Sequence, residues 1–266
     1  MASVNPSQVD IQAQVSDNTK IRIVSFDNKS YVEVTLGSKD EPSALTGNDG
    51  LKLASAARTA LSQRIPLVCL LNSSGAPPES GIGALHGWGS AAAEISSCSG
   101  VIPVIFCVQQ TALAGPALLL GLADFVIMIE NSYSYVSGPR MVQEFTGVPV
   151  DHETLGGASK HAQMSGLASF VTGSIETATE IIQELLTLLP INSASIAPQM
   201  KNTDSPSRKL IGIAEIIPES ATGSYDVREV IEQIVDEGIL TELKKDWATN
   251  IVTSLATING HTVGII

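Results

Sequence analysis

The sequence is short of charge, and of positive charge in particular. Only 16% of its 266 residues are charged, and 15 Lys and Arg stand against 27 Asp and Glu, for a formal net charge of −12. A nucleic-acid surface needs clustered basic side chains to neutralise phosphates, so this balance argues against a nucleic-acid partner. The hydrophobic share of 44% is large enough for a substantial core.

Cysteine is also scarce. The three cysteines, Cys69, Cys98 and Cys107, form no CxxC pair, and two of them lie in apolar, strand-like runs. Free cysteine behaves as a small buried hydrophobe, so we expect inert thiols and no metal site.

Targeting and membrane signals are missing as well. The first twenty residues are polar and lack the basic, apolar and small-residue regions of a signal peptide. The apolar run 112–129 is interrupted by Pro116 and Asp124, which indicates two elements with a break rather than a membrane span. The sequence predicts a cytoplasmic protein without a membrane partner.

Strand and helix patterns alternate along the chain. The pattern predicts a hairpin of strands 21–26 and 31–34, helices at 51–63, 82–98 and 173–190, and strands at 66–71, 101–108 and 125–129. Residues 72–81 read as a loop and 191–217 as the best linker. A helix near 225–238 and a second hairpin around Asn259-Gly260 follow. This alternation predicts α/β layers with largely parallel strands.

The most informative feature is the Ala114-Gly115 turn between a buried strand and an apolar helical segment. A turn at a helix N-terminus can aim free backbone N–H groups at one point. Such donors can hold an anion or a developing oxyanion without a charged side chain. Taken alone, the pair favours an ordinary packing turn between strand and helix.

The stretch around this turn resembles a known family over nearly sixty residues without a gap. Its landmarks are Ala114-Gly115, Ala123-Asp124-Phe125, Gly138-Pro139, Leu155-Gly156-Gly157-Ala158, His161 and Ser165-Gly166. On these residues the chain resembles the biotin-dependent acyl-CoA carboxyltransferases of the propionyl-CoA carboxylase β-subunit type.

The resemblance implies an α/β fold of the crotonase-like (ClpP/crotonase) type, a spiral of strand-strand-helix units. It implies a carboxyltransferase N-terminal domain at 20–200 and the start of a second, incomplete crotonase-like half at 218–266. Composition predicts a polar tail at 1–19 and a linker at 201–217. An isolated hairpin is only marginally stable and a terminal apolar strand leaves an open edge. We therefore expect 262–266 to pair with another chain or to be disordered.

The resemblance also implies the site. Ala114 and Gly115 fall on the family's oxyanion pair and would stabilise a thioester enolate. The implied substrate-binding residues are Ser73, Ser74, Gly75, Ala76, Tyr135, Gly138, Pro139 and His161. For His161 a structural hydrogen-bonding role is favoured over that of a general base, and for Tyr135 and Gly138-Pro139 an ordinary strand and turn remain an equal alternative. His152 is expected in an exposed polar turn.

Departures from the family pattern in two segments, the 72–77 loop and residues 41–44, weaken the case for ordinary coenzyme A binding. Pro77 replaces an arginine, a natural partner of phosphate, and Ser74 replaces a glycine of the same loop. Glu41-Pro42-Ser43-Ala44 also stands where the family has a Phe-Gly-Gly-Ser segment.

The function implied is carboxyl transfer between carboxybiotin and the α-carbon of a short acyl-CoA, with no metal. Biotin would be carried on a partner. The implied partners are biotin carboxyl carrier and biotin carboxylase components and a C-terminal carboxyltransferase half, in a homo- or hetero-oligomer. The alternatives are a decarboxylase of malonyl-type thioesters and a non-catalytic carboxyltransferase-like assembly subunit.

Overall fold

A computed structural model describes residues 8–9, 18–38, 40–205, 207–220 and 222–266. These residues form a larger, mostly parallel sheet with helices on both faces and a smaller antiparallel sheet near the C-terminus. Most of the expected polar tail at 1–19 lies outside the described residues. Within it, Gln8–Val9 pairs with the strand that begins at Thr19.

The strands of the larger sheet all precede residue 173. They are β1 (Gln8–Val9), β2 (Thr19–Phe26), β3 (Lys29–Leu36), β4 (Ser43–Ala44), β5 (Leu67–Gly75), β6 (Val104–Leu113), β7 (Phe125–Ile129), β8 (Tyr133–Tyr135) and β9 (Phe170–Thr172). The smaller sheet contains β10 (Leu240–Leu243), β11 (Thr253–Ile258) and β12 (His261–Ile265).

Seven of the nine α-helices among the described residues lie in the first 190 residues, between the strands or directly after them. The helices are α1 (Gly47–Gln63), α2 (Gly81–Cys98), α3 (Gly115–Leu119), α4 (Pro139–Thr146), α5 (His152–Gly156), α6 (Ala158–Lys160), α7 (Ile175–Leu188), α8 (Ile213–Ile216) and α9 (Val227–Ile234). A π-helical turn, His161–Ser165, continues α6.

The order of the larger sheet is β1-β2-β3-β5-β6-β7-β9, with β4 paired to β5 and β8 paired to β6. Its β2–β3 hairpin is antiparallel, as expected, and every pairing from β3 to β9 is parallel. Parallel neighbours need crossover connections, which the intervening helices supply. The expected α/β alternation is therefore confirmed.

The sheet separates two hydrophobic cores. One face of β3, β5 and β6 packs on α1 and α2 through residues such as Leu53, Ile95 and Phe106. The opposite face packs on α7 through Ile105, Ile127 and Leu185. Because alternate residues of a parallel strand point to opposite layers, both faces are apolar and the strands read as continuous hydrophobic runs.

Several element boundaries differ from the sequence expectation. Helix α1 begins four residues before the expected start because the side chain of Thr46 and the carboxylate of Asp49 form a capping box. Strand β5 continues through Asn72–Gly75, which was expected to be loop. Strand β6 begins at Val104 rather than residue 101, since residues 99–102 form a turn and Pro103 precedes the strand.

The smaller sheet contains the predicted second hairpin and one strand that was not expected. Asn259 and Gly260 connect β11 to β12 with φ values of 51° and 77°, as a two-residue hairpin turn requires. The additional strand, β10, pairs antiparallel with β11. Residues 262–265 belong to β12 and pair with β11, so they are ordered. Their pairing with another chain stays a prediction.

In the part of the chain that the structure describes, no helix is both long and apolar enough to cross a membrane. The apolar run 112–129 is divided among the end of β6, α3, a short 3₁₀ turn and β7.

Candidate functional site

The candidate site lies where three strands of the larger sheet end or begin side by side. Ser73 near the end of β5 pairs with Ala112 of β6, and Leu113 of β6 pairs with Tyr135 of β8. Carboxyl ends of parallel strands meet at one edge of a sheet, where ligands of α/β folds commonly bind. The topology therefore brings the 73–76 loop, the 114–115 turn and β8 together.

Gly75 of the first loop lies beside the turn. A Cβ placed on Gly75 would lie 3.5 Å from the Cβ of Ala114, and the φ of Gly75 is +97°. Its N–H donates to Ser73 Oγ at 3.1 Å and its carbonyl accepts from Leu45 N–H at 2.8 Å. Ser73 is fully buried and serves this turn, whereas Ser74 is exposed at the site.

The N–H of Ala114 is already used within the sheet. It donates to the carbonyl of Tyr135 at 3.1 Å. The expectation that Ala114 contributes a free oxyanion donor therefore needs correction, because β8 takes up this group. Ala114 also adopts φ 58° and ψ −123°, a conformation in which glycine is favoured because it has no Cβ.

Two other backbone N–H groups at this edge remain available. Among the described residues, no acceptor is found for the N–H of Gly115, the first residue of α3, or for that of Ala76. Pro77 and Pro116 follow them and have no N–H of their own. The two available donors therefore come from two different loops, which lie side by side at Gly75 and Ala114.

Trp88 of α2 forms a wall behind Gly115. A Cβ on Gly115 would lie 3.0 Å from Trp88 Cγ and 3.1 Å from Cδ1, and Trp88 is 6% exposed. The indole Nε1 is buried without a hydrogen-bond partner among the described residues. A side chain at position 115 would therefore press against the Trp88 indole.

Three aromatic rings stand beside the turn. Tyr133 and Tyr135 are nearly parallel, with ring centroids 5.6 Å apart, and the His152 ring lies 4.8 Å from Tyr133 and 5.8 Å from Tyr135. The Tyr135 hydroxyl is 2.7 Å from His152 Nδ1. Burial, with a smaller effect from Tyr133, raises the pKa of the Tyr135 phenol, which therefore stays protonated at neutral pH.

Both ring nitrogens of His161 are engaged. Nε2 lies 2.8 Å from the carbonyl oxygen of Ser134, which can only accept, so Nε2 carries the proton of this bond. Nδ1 lies 2.9 Å from Ser165 Oγ. This geometry supports the favoured structural role and leaves the ring without a free nitrogen for proton abstraction.

Gly138 and Pro139 begin α4. Gly138 is the N-cap residue and Pro139 occupies the first helical turn, where its missing N–H has no consequence. A Cβ on Gly138 would lie 3.5 Å from Tyr135 Cε2, so the pair adjoins the aromatic rings. Of the predicted residues, Ser73 and Gly75 are buried, whereas Tyr135 contacts the 114–115 turn and lies beside Gly138.

Comparison with known proteins agrees with this arrangement. The model of the carboxyl transferase domain matches residues 39–266. The chain belongs to the carboxyl transferase domain family. This is the family type that the landmarks around Ala114-Gly115 indicated.

The curated relatives carry related names. The chain is 33% identical over 202 residues to a propionyl-CoA carboxylase carboxyltransferase subunit of Haloferax mediterranei, covering 76% of this chain and 39% of that protein. It is 34% identical to the methylmalonyl-CoA carboxyltransferase 12S subunit of Propionibacterium freudenreichii (81% and 41%). It is 33% identical to a methylmalonyl-CoA decarboxylase subunit alpha of Veillonella parvula (81% and 42%). The chain spans about two fifths of the length of these relatives.

Solved structures show the same fold. A transcarboxylase 12S hexamer, with hydrolysed methylmalonyl-coenzyme A bound, matches 97% of this chain and 54% of its own with a TM-score of 0.89 at 26% identity. The expected crotonase-like fold is confirmed.

Sequence reasoning missed the contributions of Trp88 and His152. Asp151 accepts from Thr154 N–H at 2.6 Å and so caps α5, of which His152 is the first residue. An aspartate at the N-cap followed by a glutamate in the first turn, here Asp151 and Glu153, is a usable helix-start signal. Nothing in the local pattern, however, places His152 against Tyr135, seventeen residues earlier.

Proposed function

We propose that this carboxyl transferase domain binds a short acyl-CoA and stabilises its enolate, as part of a carboxyltransferase that moves a carboxyl group between biotin and the acyl α-carbon. Biotin, carried on a partner protein, would supply or accept the carboxyl group. The named activities of the relatives support this proposal, and so does the arrangement of the site.

The observation that carries the proposal is the pair of available N–H groups on Ala76 and Gly115. An acyl thioester that loses its α-proton or α-carboxyl group places negative charge on its carbonyl oxygen. Two backbone donors aimed at that oxygen stabilise the charge without any titratable group. One such donor is worth on the order of 3 kcal/mol in oxyanion sites.

Exposed apolar side chains support the proposed partner half and oligomeric assembly. The helices that leave the site carry Ile82 and Leu85 on α2, Leu118 on α3 and Phe145 on α4, which are between 62% and 84% exposed. Helices α2 and α3 contact each other, and large apolar side chains exposed on neighbouring helices suit a protein interface. We therefore propose that a C-terminal carboxyltransferase half covers this edge, with the biotin carboxyl carrier and biotin carboxylase components as further partners.

Amide hydrogen exchange tests the proposed donors directly. Adding propionyl-CoA, with the partner half present, should slow exchange at Ala76 and Gly115. Gly121, which is exposed in the 3₁₀ turn after α3 and has open space around it, serves as the control and should be unaffected. Equal exchange with and without propionyl-CoA would refute the assignment of the donors.

Substitution provides the second arm. In Gly115→Val the new side chain would meet Trp88 and cover the donor, so carboxyl transfer should be lost. Gly121→Val introduces the same side chain in open space and should retain activity. Because Trp88 is buried, circular dichroism must first establish that Gly115→Val still folds. Unchanged turnover in folded Gly115→Val would contradict the proposal.

Decarboxylation of a malonyl-type thioester is the second candidate. It requires the same enolate stabilisation, and one relative is named as a methylmalonyl-CoA decarboxylase subunit. Release of carbon dioxide from methylmalonyl-CoA without transfer to an acceptor would favour it. Absence of any acyl-CoA binding would instead favour a role in assembly alone.

A further inference from the structure

Strand β8 is held at two consecutive residues by two histidines. His161 Nε2 donates to the carbonyl of Ser134, and His152 Nδ1 contacts the hydroxyl of Tyr135. Gly156 permits this approach, since a Cβ there would lie 2.1 Å from the Ser134 carbonyl oxygen. The segment from α5 to the π-helical turn, residues 152–165, therefore holds β8 in place beside the end of β6. We call this segment the clamp.

Tyr135 links this clamp to the candidate site. Its backbone carbonyl accepts the N–H of Ala114, while its phenol contacts His152. The single residue thus joins α5 to the residue directly before Gly115. A displacement of Tyr135 would change the orientation of the Ala114-Gly115 peptide and with it the direction of the Gly115 N–H.

We propose that Tyr135 and His152 act as a positioning pair that fixes the Ala114-Gly115 turn, and thereby the oxyanion donor of Gly115, in its working orientation. The phenol O–H donates to Nδ1 and the imidazole is the Nε2–H tautomer. The proposal rests on the proposed function for its catalytic consequence, but not for the effect on the turn itself.

The expected effect falls on turnover rather than on substrate binding. The donor is used most strongly when charge develops on the thioester oxygen, and an interaction made mainly in the transition state affects kcat. A hydrogen bond contributes about fivefold to tenfold in an equilibrium or rate. Weakening the pair should therefore lower kcat by about that factor with KM nearly unchanged.

The chain offers a matched pair of variants. Tyr135→Phe removes the hydroxyl that contacts His152 and keeps the ring and the backbone carbonyl. Tyr133→Phe removes the hydroxyl of the stacked neighbouring ring, for which no hydrogen bond is found among the described residues. His152→Leu removes the acceptor, and His152→Asn restores an acceptor close to the position of Nδ1.

Two measurements on the folded chain with its partner half decide the matter. Amide exchange at Ala114, which needs no substrate, should accelerate about fivefold to tenfold in Tyr135→Phe and His152→Leu and should stay at the wild-type rate in Tyr133→Phe. The kcat of carboxyl transfer should fall in the same two variants, and His152→Asn should recover most of it.

An amide exchange rate at Ala114 that is the same in Tyr135→Phe as in Tyr133→Phe would overturn the proposed positioning pair. An increase in KM with kcat unchanged in Tyr135→Phe and His152→Leu would overturn it as well. Failure of His152→Asn to exceed His152→Leu in kcat would overturn the role of the acceptor. If wild type binds no acyl-CoA, the proposed function fails, while the exchange rates at Ala114 still decide whether the pair fixes the turn.

Discussion

Replacing Gly87 by alanine tests how closely α1 and α2 must approach beneath the site. The two helices meet at glycines: a Cβ on Gly87 would lie 1.9 Å from the carbonyl oxygen of Gly47, and one on Gly50 would lie 2.5 Å from the carbonyl carbon of Gly87. Backbone atoms of α1 and α2 are thus in direct contact. Trp88 follows Gly87 and packs against Gly115, so the contact between α1 and α2 also sets the position of the Trp88 indole beside the site.

The magnitude follows from two opposing effects. Alanine in place of a helical glycine stabilises by about 1 kcal/mol because the unfolded chain loses conformational freedom. Forcing a methyl group into a filled space costs about 1 to 3 kcal/mol, and a rigid backbone oxygen at 1.9 Å places Gly87 at the upper end. Gly87→Ala should therefore destabilise the protein by about 2 kcal/mol net.

Gly89 of the same helix is the matched control. It is exposed and a Cβ there would meet nothing within 4 Å. Gly89→Ala should stabilise by about 0.5 to 1 kcal/mol, so the two variants should differ by about 3 kcal/mol. The free energy of unfolding from urea titrations, compared at equal m-values, measures this difference. Equal stability of the two variants would refute the close approach of α1 and α2.

Two further predictions concern titratable groups. Burial raises the pKa of Cys98 to about 11 and that of Cys107 to about 12, and raises that of Cys69 further, so none of the three thiols should react with a thiol reagent at pH 8 until the protein is unfolded. Rapid labelling of the native protein would contradict this. Burial pushes the pKa of Asp236 upward, but N–H groups of Gly260 at 2.7 Å and Asn259 at 2.9 Å outweigh it and hold the pKa below its ordinary value. The folded pKa is the lower one, so this stabilisation is present above about pH 4 and is lost as the pH falls through the folded value. Asp236→Asn should remove that part of the acid dependence in urea titrations between about pH 5 and pH 2, and an unchanged dependence would show that Asp236 does not cap the hairpin turn.

The regular elements of the first 190 residues could be predicted because their signals are local. The β2–β3 hairpin, the strand at Phe125–Ile129 and helix α7 follow from the periodicity of apolar residues. The extension of β5 through Asn72 could not, because Asn72 and Ser73 are polar yet buried. The Asn72 side chain donates to the Ser38 carbonyl and the Ser73 carbonyl accepts from Thr111 Oγ1, contacts that only the folded sheet provides.

The sequence by itself determined the family, the α/β class and the segment that carries the site. These depend on periodicity and on landmarks such as Gly138-Pro139, which are read along the chain. Only the tertiary structure decided which N–H groups of that segment remain available. The donor of Ala114 is taken by Tyr135, 21 residues later, while Ala76 enters from a different loop. A backbone N–H is present at almost every residue, so its availability depends on what the fold places opposite it.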